Sequence, residues 1–391
     1  MKAPLRFRFS AILLLAAVCL GCSSPSVPAE DGGKTDWTFL EPDIHAVDLP
    51  TPDGTSSKWD GVELPLPCAD IYDPDFIPVF EIEIEDAQWE QLVEWYKLGP
   101  EAIEPKTYVP LKSFRYGDEV YTDAMIRLRG NPYHWWPDPK MQFNVSFKQV
   151  DEKGRFHGLR KLNFDVAHGD KTLFHDRLAM SLYRQMGIPA PCVNHAKLII
   201  NGEYFGLYVN IEHVDQEFLQ RNFGPDDEGN LYKCMPKFRM EKKTNEADLD
   251  VSDVDNVLRE DITAEEMKEL VDLDEVLLEW AGEAMVPHLD GFFVGGVNFH
   301  LYNHPTRGCL IIPWDLDYSF EMGGENSDLV TPECGWGHGK PALFRVVMSD
   351  PDLKARYLET LEMAAAYFDS ARMVEDILFY EEQIRDAIET D

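Results

Sequence analysis

Positive charge is scarce in this 391-residue chain: 36 Lys and Arg stand against 71 Asp and Glu, a formal net charge of −35. A surface that acidic repels phosphate backbones and anionic headgroups, which argues against a nucleic-acid partner. Cysteine is sparse too, with seven residues, and the five that follow Cys22 are scattered without a Cys-x-x-Cys pair, so the spacing of a zinc site is missing among them. After the first twenty residues no apolar run is long enough for a transmembrane helix. No Gly-x-Ser-x-Gly elbow or reactive Cys-His signature is found, and no internal repeat. Core-forming residues, by contrast, are ample: 44% are apolar and 12% aromatic.

The N-terminus carries Lys2, Arg6 and Arg8, then an apolar run over residues 9–20, then Gly21-Cys22-Ser23. A basic start, a short apolar core and small residues at its end describe an export signal. Cys directly after Gly at that boundary resembles a bacterial lipoprotein signal. The resemblance implies a signal over 1–21, lipidation of Cys22 and anchoring to the cell envelope; an ordinary cleaved signal is the alternative. Residues 22–67 are rich in Pro, Gly, Ser and Thr with little apolar periodicity, and read as a tether. Residues 68–391 suit one large domain. Export permits one or two disulfides among the five later cysteines, with the pairing left open.

Alternation predicts strands over 78–84, 125–129, 141–148 and 161–165. Asp86 caps a helix carrying Trp89, Leu92, Val93 and Tyr96 that stops at Gly99-Pro100. After Asp170, Phe174, Leu178, Leu182 and Met186 recur every four residues, a second helix. Asn201-Gly202 joins two strands in a hairpin. From Thr263 the pattern turns helical: Thr263 and Glu266 suit a capping box, and Val276, Leu277, Trp280, Ala281 and Ala284 form an apolar stripe. One hairpin, 299–302 with 308–312, interrupts the helices. The fold class is therefore α+β, with a sheet-rich front half that holds an inserted helix and a mostly helical back half. That is the order of a two-lobed kinase, with lobes at about 76–211 and 216–391 and a hinge at 212–215.

Charge placement adds two clues. Between Met125 and Lys161, eight cations (Arg127, Arg129, Lys140, Lys148, Lys153, Arg155, Arg160 and Lys161) meet three acids. Either this is a solvated strand face balancing acidic neighbours, or it holds a polyanion such as a nucleotide triphosphate. Further on, Asp290 precedes Asn298 by eight residues, and a hairpin leads to Asp315-Leu316-Asp317. Kinases space a catalytic Asp, a metal-binding Asn and a metal-binding Asp around a hairpin in this way. Hard oxygen ligands suit Mg²⁺ or Mn²⁺.

Ile126-Arg127-Leu128-Arg129-Gly130-Asn131, the segment from Lys140 to Phe147, and Gly158-Leu159-Arg160-Lys161-Leu162-Asn163-Phe164 resemble motifs of the CotH kinase family. Asn201-Gly202-Glu203-Tyr204-Phe205-Gly206, Asn298-Phe299-His300-Leu301-Tyr302 and Ile312-Pro313-Trp314-Asp315-Leu316-Asp317 resemble others. The resemblance implies an atypical protein kinase that transfers phosphate from ATP to a Ser/Thr-rich secreted or surface protein. It implies Asp290 as the catalytic aspartate, with Asn298 and Asp315 on the metal and Asp317 supporting them or closing a turn. Lys140 and Lys161 compete for the phosphate-holding lysine, Lys140 being preferred. Arg129 and Arg177 face phosphates in this reading, and Glu212 and Val214 belong to the adenine-binding hinge. Pro132, Tyr133, His134, Trp135 and Trp136 stand where the family has serines, which keeps open a kinase-fold binding or adhesion protein without turnover. A metal-dependent phosphohydrolase using Asp290, Asp315 and Asp317 is the third reading. The acidic stretch Asp248, Asp250, Asp253 and Asp255 lacks the Gly and Glu of a calcium loop.

Overall fold

The computed structural model describes residues 63–99, 107–134, 140–235, 239–288, 290–320, 330 and 340–391. Cys22 and the export signal, Trp135 and Trp136 lie outside them.

The alternating run after Pro78 becomes β1 (Val79–Glu83), with Phe80 and Ile82 inward. Helix α1 (Asp86–Leu98) follows; its cap is Glu85, with Asp86 in the first turn rather than at the cap, and it ends at Gly99. Next come β2 (Val109–Pro110), β3 (Ser113–Tyr116), β4 (Glu119–Tyr121), β5 (Met125–Leu128), β6 (Phe143–Ser146) and β7 (Lys161–Asp165). Helix α2 (His175–Gln185) carries the predicted four-residue repeat. Asp170 does not occupy its cap position but accepts the His175 N–H at 2.8 Å, so it still satisfies one donor of the first turn. β8 (Val193–Ile200) and β9 (Glu203–Glu212) form the Asn201-Gly202 hairpin, both turn residues having positive φ (51° and 82°).

Among the described residues nine strands make one sheet, ordered β2-β5-β6-β7-β9-β8-β1-β3-β4. Neighbours are antiparallel except β1 with β8. The two faces differ. Ile126, Leu128, Phe143, Val145, Leu162 and Phe164 join Phe80, Phe114, Phe156 and Leu92 in an apolar core. One residue out of phase, the other face carries Arg127, Arg129, Asn144, Lys161, Asn163 and Asp165. Asn144, Asn163, Asp165 and Arg129 are nevertheless buried. A buried polar face requires partners; these side chains find them in one another and in Tyr108, Gln142, Ile211 and His213, while Arg129 also feels Asp315 and Asp317 of the second half of the chain.

That half starts with α3 (Gln216–Phe223), capped by Asp215. It then forms β10 (Asn230–Met235), β11 (Arg239–Lys242), α4 (Ser252–Leu258), α5 (Ala264–Leu270) and α6 (Leu273–Met285). It continues through β12 (Phe299–His304), β13 (Gly308–Pro313), α7 (Ala342–Ser349), α8 (Pro351–Ala365) and α9 (Ser370–Thr390). The capping box of Thr263 and Glu266 is formed. The predicted hairpin is not alone: β10 and β11 extend it to a four-stranded sheet, ordered β11-β10-β12-β13. On α6, Trp280 is fully buried and stacks on Tyr357 of α8 (4.1 Å) and on Phe293 (4.4 Å). Truncating such a residue to Ala costs roughly 3–5 kcal/mol. Helix α9 returns to the large sheet, packing Tyr380, Ile384 and Ala387 on Phe174, Leu178 and Leu207. The fold is thus α+β, as the patterning predicted, with a large sheet in front and a mostly helical second half.

Cys68 and Cys192 form a disulfide, Cα–Cα 5.9 Å, that ties the segment before residue 70 to the start of β8. Cys234 and Cys309 are free and buried.

Candidate active site

The polar face of the sheet is wired from side to side. The Tyr108 hydroxyl donates to Asn144 Oδ1, and Asn144 Nδ2 donates to Asn163 Oδ1 at 2.8 Å. Asn163 Nδ2 reaches Ile211 O (3.1 Å) and His213 Nδ1 (3.3 Å). Lys161 Nζ lies 3.2 Å from His213 Nε2. This ladder aligns Lys161 with the chain segment joining the two halves. Burial pushes the Lys161 ammonium down to about 8; Asp215 resists the shift, while Lys148, Arg127 and Lys243 add to it. His213 is pushed well below its usual value by burial and then by Lys161, Lys233, Arg127 and His300. Cations from both halves of the chain therefore converge here. Lys233 of β10 also stacks on Trp314 (4.6 Å), which contacts His300 edge-on (5.2 Å). Trp314 directly precedes Asp315.

Carboxylates gather beside this group. Asp315, two residues past the end of β13, adopts a left-handed conformation (φ 60°, ψ 59°), which costs a non-glycine residue energy unless its surroundings hold it there. The next amide supplies the hold: Leu316 N donates to Asp176 Oδ1 at 2.9 Å, linking α2 to the strand end. Gly169 N donates to Asp317 Oδ2 (2.7 Å), and His175 Nδ1 donates to Asp317 O (2.8 Å). Asp176 and Asp317 are both buried, and each has one oxygen, Asp176 Oδ2 and Asp317 Oδ1, without a hydrogen-bond partner. Burial and then Asp315 push Asp176 up to about 7. The same two causes, with Asp176 and Asp290 adding to them, raise Asp317 well above the carboxylate range. Arg129 is the neighbouring cation. It pairs with Asp165, donates to Gln142 Oε1 (3.3 Å) and feels Asp315, Asp176 and Asp317.

Asp290 and Asn298 meet, Asn298 Nδ2 donating to Asp290 Oδ2 at 2.6 Å. Glu283 shapes the loop between them. Its carboxylate accepts the amides of Phe292 (2.5 Å) and Phe293 (3.1 Å). A Cβ at Gly291 would lie 2.5 Å from that carboxylate, so the turn needs glycine there. His288 Nε2 stands 3.1 Å from Asp290 Oδ1. Burial alone would neutralise His288, but Asp290, Glu283 and Asp176 outweigh it and raise the imidazole above its usual value.

Four expected residues lie elsewhere. Lys140 precedes β6 and binds Leu207 O (2.6 Å), the Asp391 carboxylate and the Tyr208 ring face (4.6 Å). Arg177 anchors α9: it stacks on Tyr380 (3.6 Å) and donates to Gln383 Oε1 (3.1 Å) and Pro74 O (3.0 Å), which corrects its expected phosphate-facing role. The Glu212 carboxylate is buried on Arg221 (2.7 Å) and Cys192 N (2.9 Å), and the Val214 side chain lies in the core. Any hinge role there falls to backbone groups. Sequence reasoning missed Asp176, Glu283, His288, Lys233 and Lys243. Glu283 carried a signal, an acid beside the apolar stripe of α6; Asp176 carried none, because its partner Leu316 is 140 residues away.

The oxygen set of Asn298, Asp315 and Asp317 is right for a hard divalent cation, and the unpartnered oxygens of Asp176 and Asp317 agree with that. Among the described residues no three His, Cys, Asp or Glu side chains stand at the spacing of a formed metal site.

The chain is similar to the inner spore coat protein H of Bacillus subtilis (strain 168), 26% identical over 219 residues that cover 50% of this chain and 58% of that protein. It is also similar to the inner spore coat protein H-like protein of the same organism, 36% identical over 67 residues, 17% of this chain and 22% of that protein. The chain thus spans less than two thirds of the length of either relative. Among solved structures, the Helicobacter pylori proinflammatory kinase CtkA aligns with 8% identity and a TM-score of 0.27 over 69% of this chain and 93% of that chain. The family model described as CotH kinase protein matches residues 126–391, which take in β5 through α9 and every charged group described above, and the chain belongs to the CotH family.

Proposed function

We propose that this CotH-family protein is a metal-dependent kinase that transfers phosphate from ATP to Ser/Thr hydroxyls of an exported or surface protein. The observation that carries the reading is the adjacency of two opposite charge groups between the large sheet and the second half, linked by Arg129 and by Trp314, whose ring holds Lys233 and which precedes Asp315. Lys161, Arg127, Lys148, Lys233 and Lys243 form one; Asp315, Asp317, Asp176 and Asp290 form the other. The large sheet and the helical half take the parts of the two kinase lobes, with Glu212 to Asp215 as the hinge. Lys161 and Arg127 hold phosphate oxygens, Lys161 replacing Lys140 because it lies on the polar face. Arg129 balances the carboxylates. A bound Mg²⁺ or Mn²⁺ supplies the positive charge that lets carboxylates and phosphates share one space. Asp290 orients the acceptor hydroxyl and accepts its proton, its carboxylate held by Asn298 and its loop by Glu283.

The Cys68–Cys192 disulfide supports export, because such bonds persist in oxidising compartments. Among the described residues no helix is long and apolar enough to cross a membrane, so attachment falls to a lipid on Cys22 in this reading.

The test is calorimetric titration of ATP with Mn²⁺, together with a transfer assay on a casein-like acceptor. Asp315→Ala should abolish transfer and weaken metal-dependent ATP binding. Lys161→Met should weaken ATP binding by roughly 1–3 kcal/mol, the worth of a charge-assisted contact. An Asp315→Ala protein with full activity overturns the assignment. Nucleotide binding without any phosphoprotein product moves the binding-protein reading ahead.

A further inference from the structure

Asp176 stands outside the Asp290, Asn298 and Asp315 pattern. It lies in the first turn of α2, 139 positions before Asp315, yet one of its oxygens holds the amide that follows Asp315. The other oxygen has no hydrogen-bond partner, although the side chain is 2% exposed. A structural carboxylate at a helix start normally spends both oxygens on nearby N–H groups, as Asp170 does on Thr172 and His175. Asp176 spends one. Its neighbours are themselves acidic, Asp315 foremost, and the nearest Arg, Arg129, is paired with Asp165. Asp317 repeats the pattern, with one oxygen on Gly169 N and the other unpartnered. Two buried, half-satisfied carboxylates from different elements lie beside a third, and the Arg129 cation that they feel is already paired with Asp165.

Resting on the kinase-site reading above, we propose that Asp176 is a cation ligand, joining Asp315 and Asp317 in a hard-oxygen site for a divalent cation. The helix α2 thereby contributes directly to the metal. The three side chains are not at coordination spacing as they stand, so the cation must draw them together against their mutual repulsion. Asp176 then has two jobs: one oxygen holds the backbone after Asp315 in place, and the other meets the cation.

The experiment titrates MnCl₂ calorimetrically into the metal-stripped full chain, without nucleotide, and records melting temperatures in EDTA and in Mn²⁺. Asp176→Asn keeps an oxygen for Leu316 N–H and removes the charge. It should bind Mn²⁺ about tenfold more weakly or worse, melt higher than the parent in EDTA, and lose most of the Mn²⁺-induced rise. Asp315→Asn serves as the reference. If Asp315→Asn weakens Mn²⁺ binding and Asp176→Asn does not, Asp176 is only a backbone anchor and the proposal falls while the site reading stands. If neither variant changes Mn²⁺ binding, the site reading itself fails. An Asp176→Asn protein that melts lower in EDTA, or does not fold, also overturns the proposal, because removing a repelled buried charge must stabilise the metal-free state.

Discussion

Without metal, this protein should become more stable as pH falls from 8 to about 6. Two carboxyls of α6 drive the effect. Glu275 accepts Ile311 N at 3.2 Å and is otherwise buried; burial pushes it up to about 8, with Asp272 adding to the shift. Glu283 is pushed up to about 7 by burial, with His288 and the Phe292 and Phe293 amides opposing and Asp290 reinforcing it. Asp176, also raised to about 7, acts in the same direction. An unfolded carboxyl titrates near 4. Between that value and the folded one the native state therefore binds more protons, and stability is lost as pH rises through 7 and 8. From pH 8 to pH 6 the gain is about 2 kcal/mol for Glu275 and roughly 1 kcal/mol for each of the other two, or about 4 kcal/mol together. Below about pH 6 the sign reverses. His195, held at about 3, and His213 and His300, held well below their usual value by burial, stay neutral in the fold while the unfolded chain takes up protons. Urea melts in EDTA should thus show maximal stability near pH 6. Glu275→Gln, which keeps the acceptor for Ile311, should remove about half of the rise. Stability that is flat or increasing between pH 6 and pH 8 refutes the reasoning.

Two further outcomes follow from the covalent features. Replacing Cys68 and Cys192 by Ser together should cost about 2–5 kcal/mol in the same melts, since the bond closes a long loop, the two cysteines being 124 positions apart; an unchanged midpoint would show that the segment before residue 70 is held by its hydrogen bonds alone. Mass spectrometry of the mature N-terminus should find a lipid on Cys22, and an unmodified Cys22 or cleavage elsewhere removes the anchor while leaving export intact.

What the sequence disclosed follows from the range of each interaction. The strand Lys161–Asp165 and the Asn201-Gly202 hairpin were legible because alternation and turn chemistry act between neighbours. The spacing of Asp290 and Asn298 was legible, but their hydrogen bond depends on the seven-residue turn between them, which Glu283 shapes from the preceding helix. The sheet formed by β10 and β11 was not, since β10 pairs with β12 across some seventy residues and each strand alone is short. The choice between Lys140 and Lys161 shows where a local signal was available but outweighed. Lys161, Asn163 and Asp165 alternate with the apolar Leu162 and Phe164, which puts the lysine on the polar face of its strand. Lys140 lies before its strand, where alternation assigns no face, and its ammonium turns to Leu207 and Asp391 instead. Motif likeness points to Lys140, whereas the two-residue period places Lys161 on the polar face. Asp176 marks the opposite limit. Nothing within a helical turn of it announces a role, because what makes it unusual is an oxygen left without a partner, and that depends on a strand end arriving from 140 residues away. Charge-bearing sites assembled from distant elements leave their trace in such unsatisfied atoms, which only the folded chain can expose.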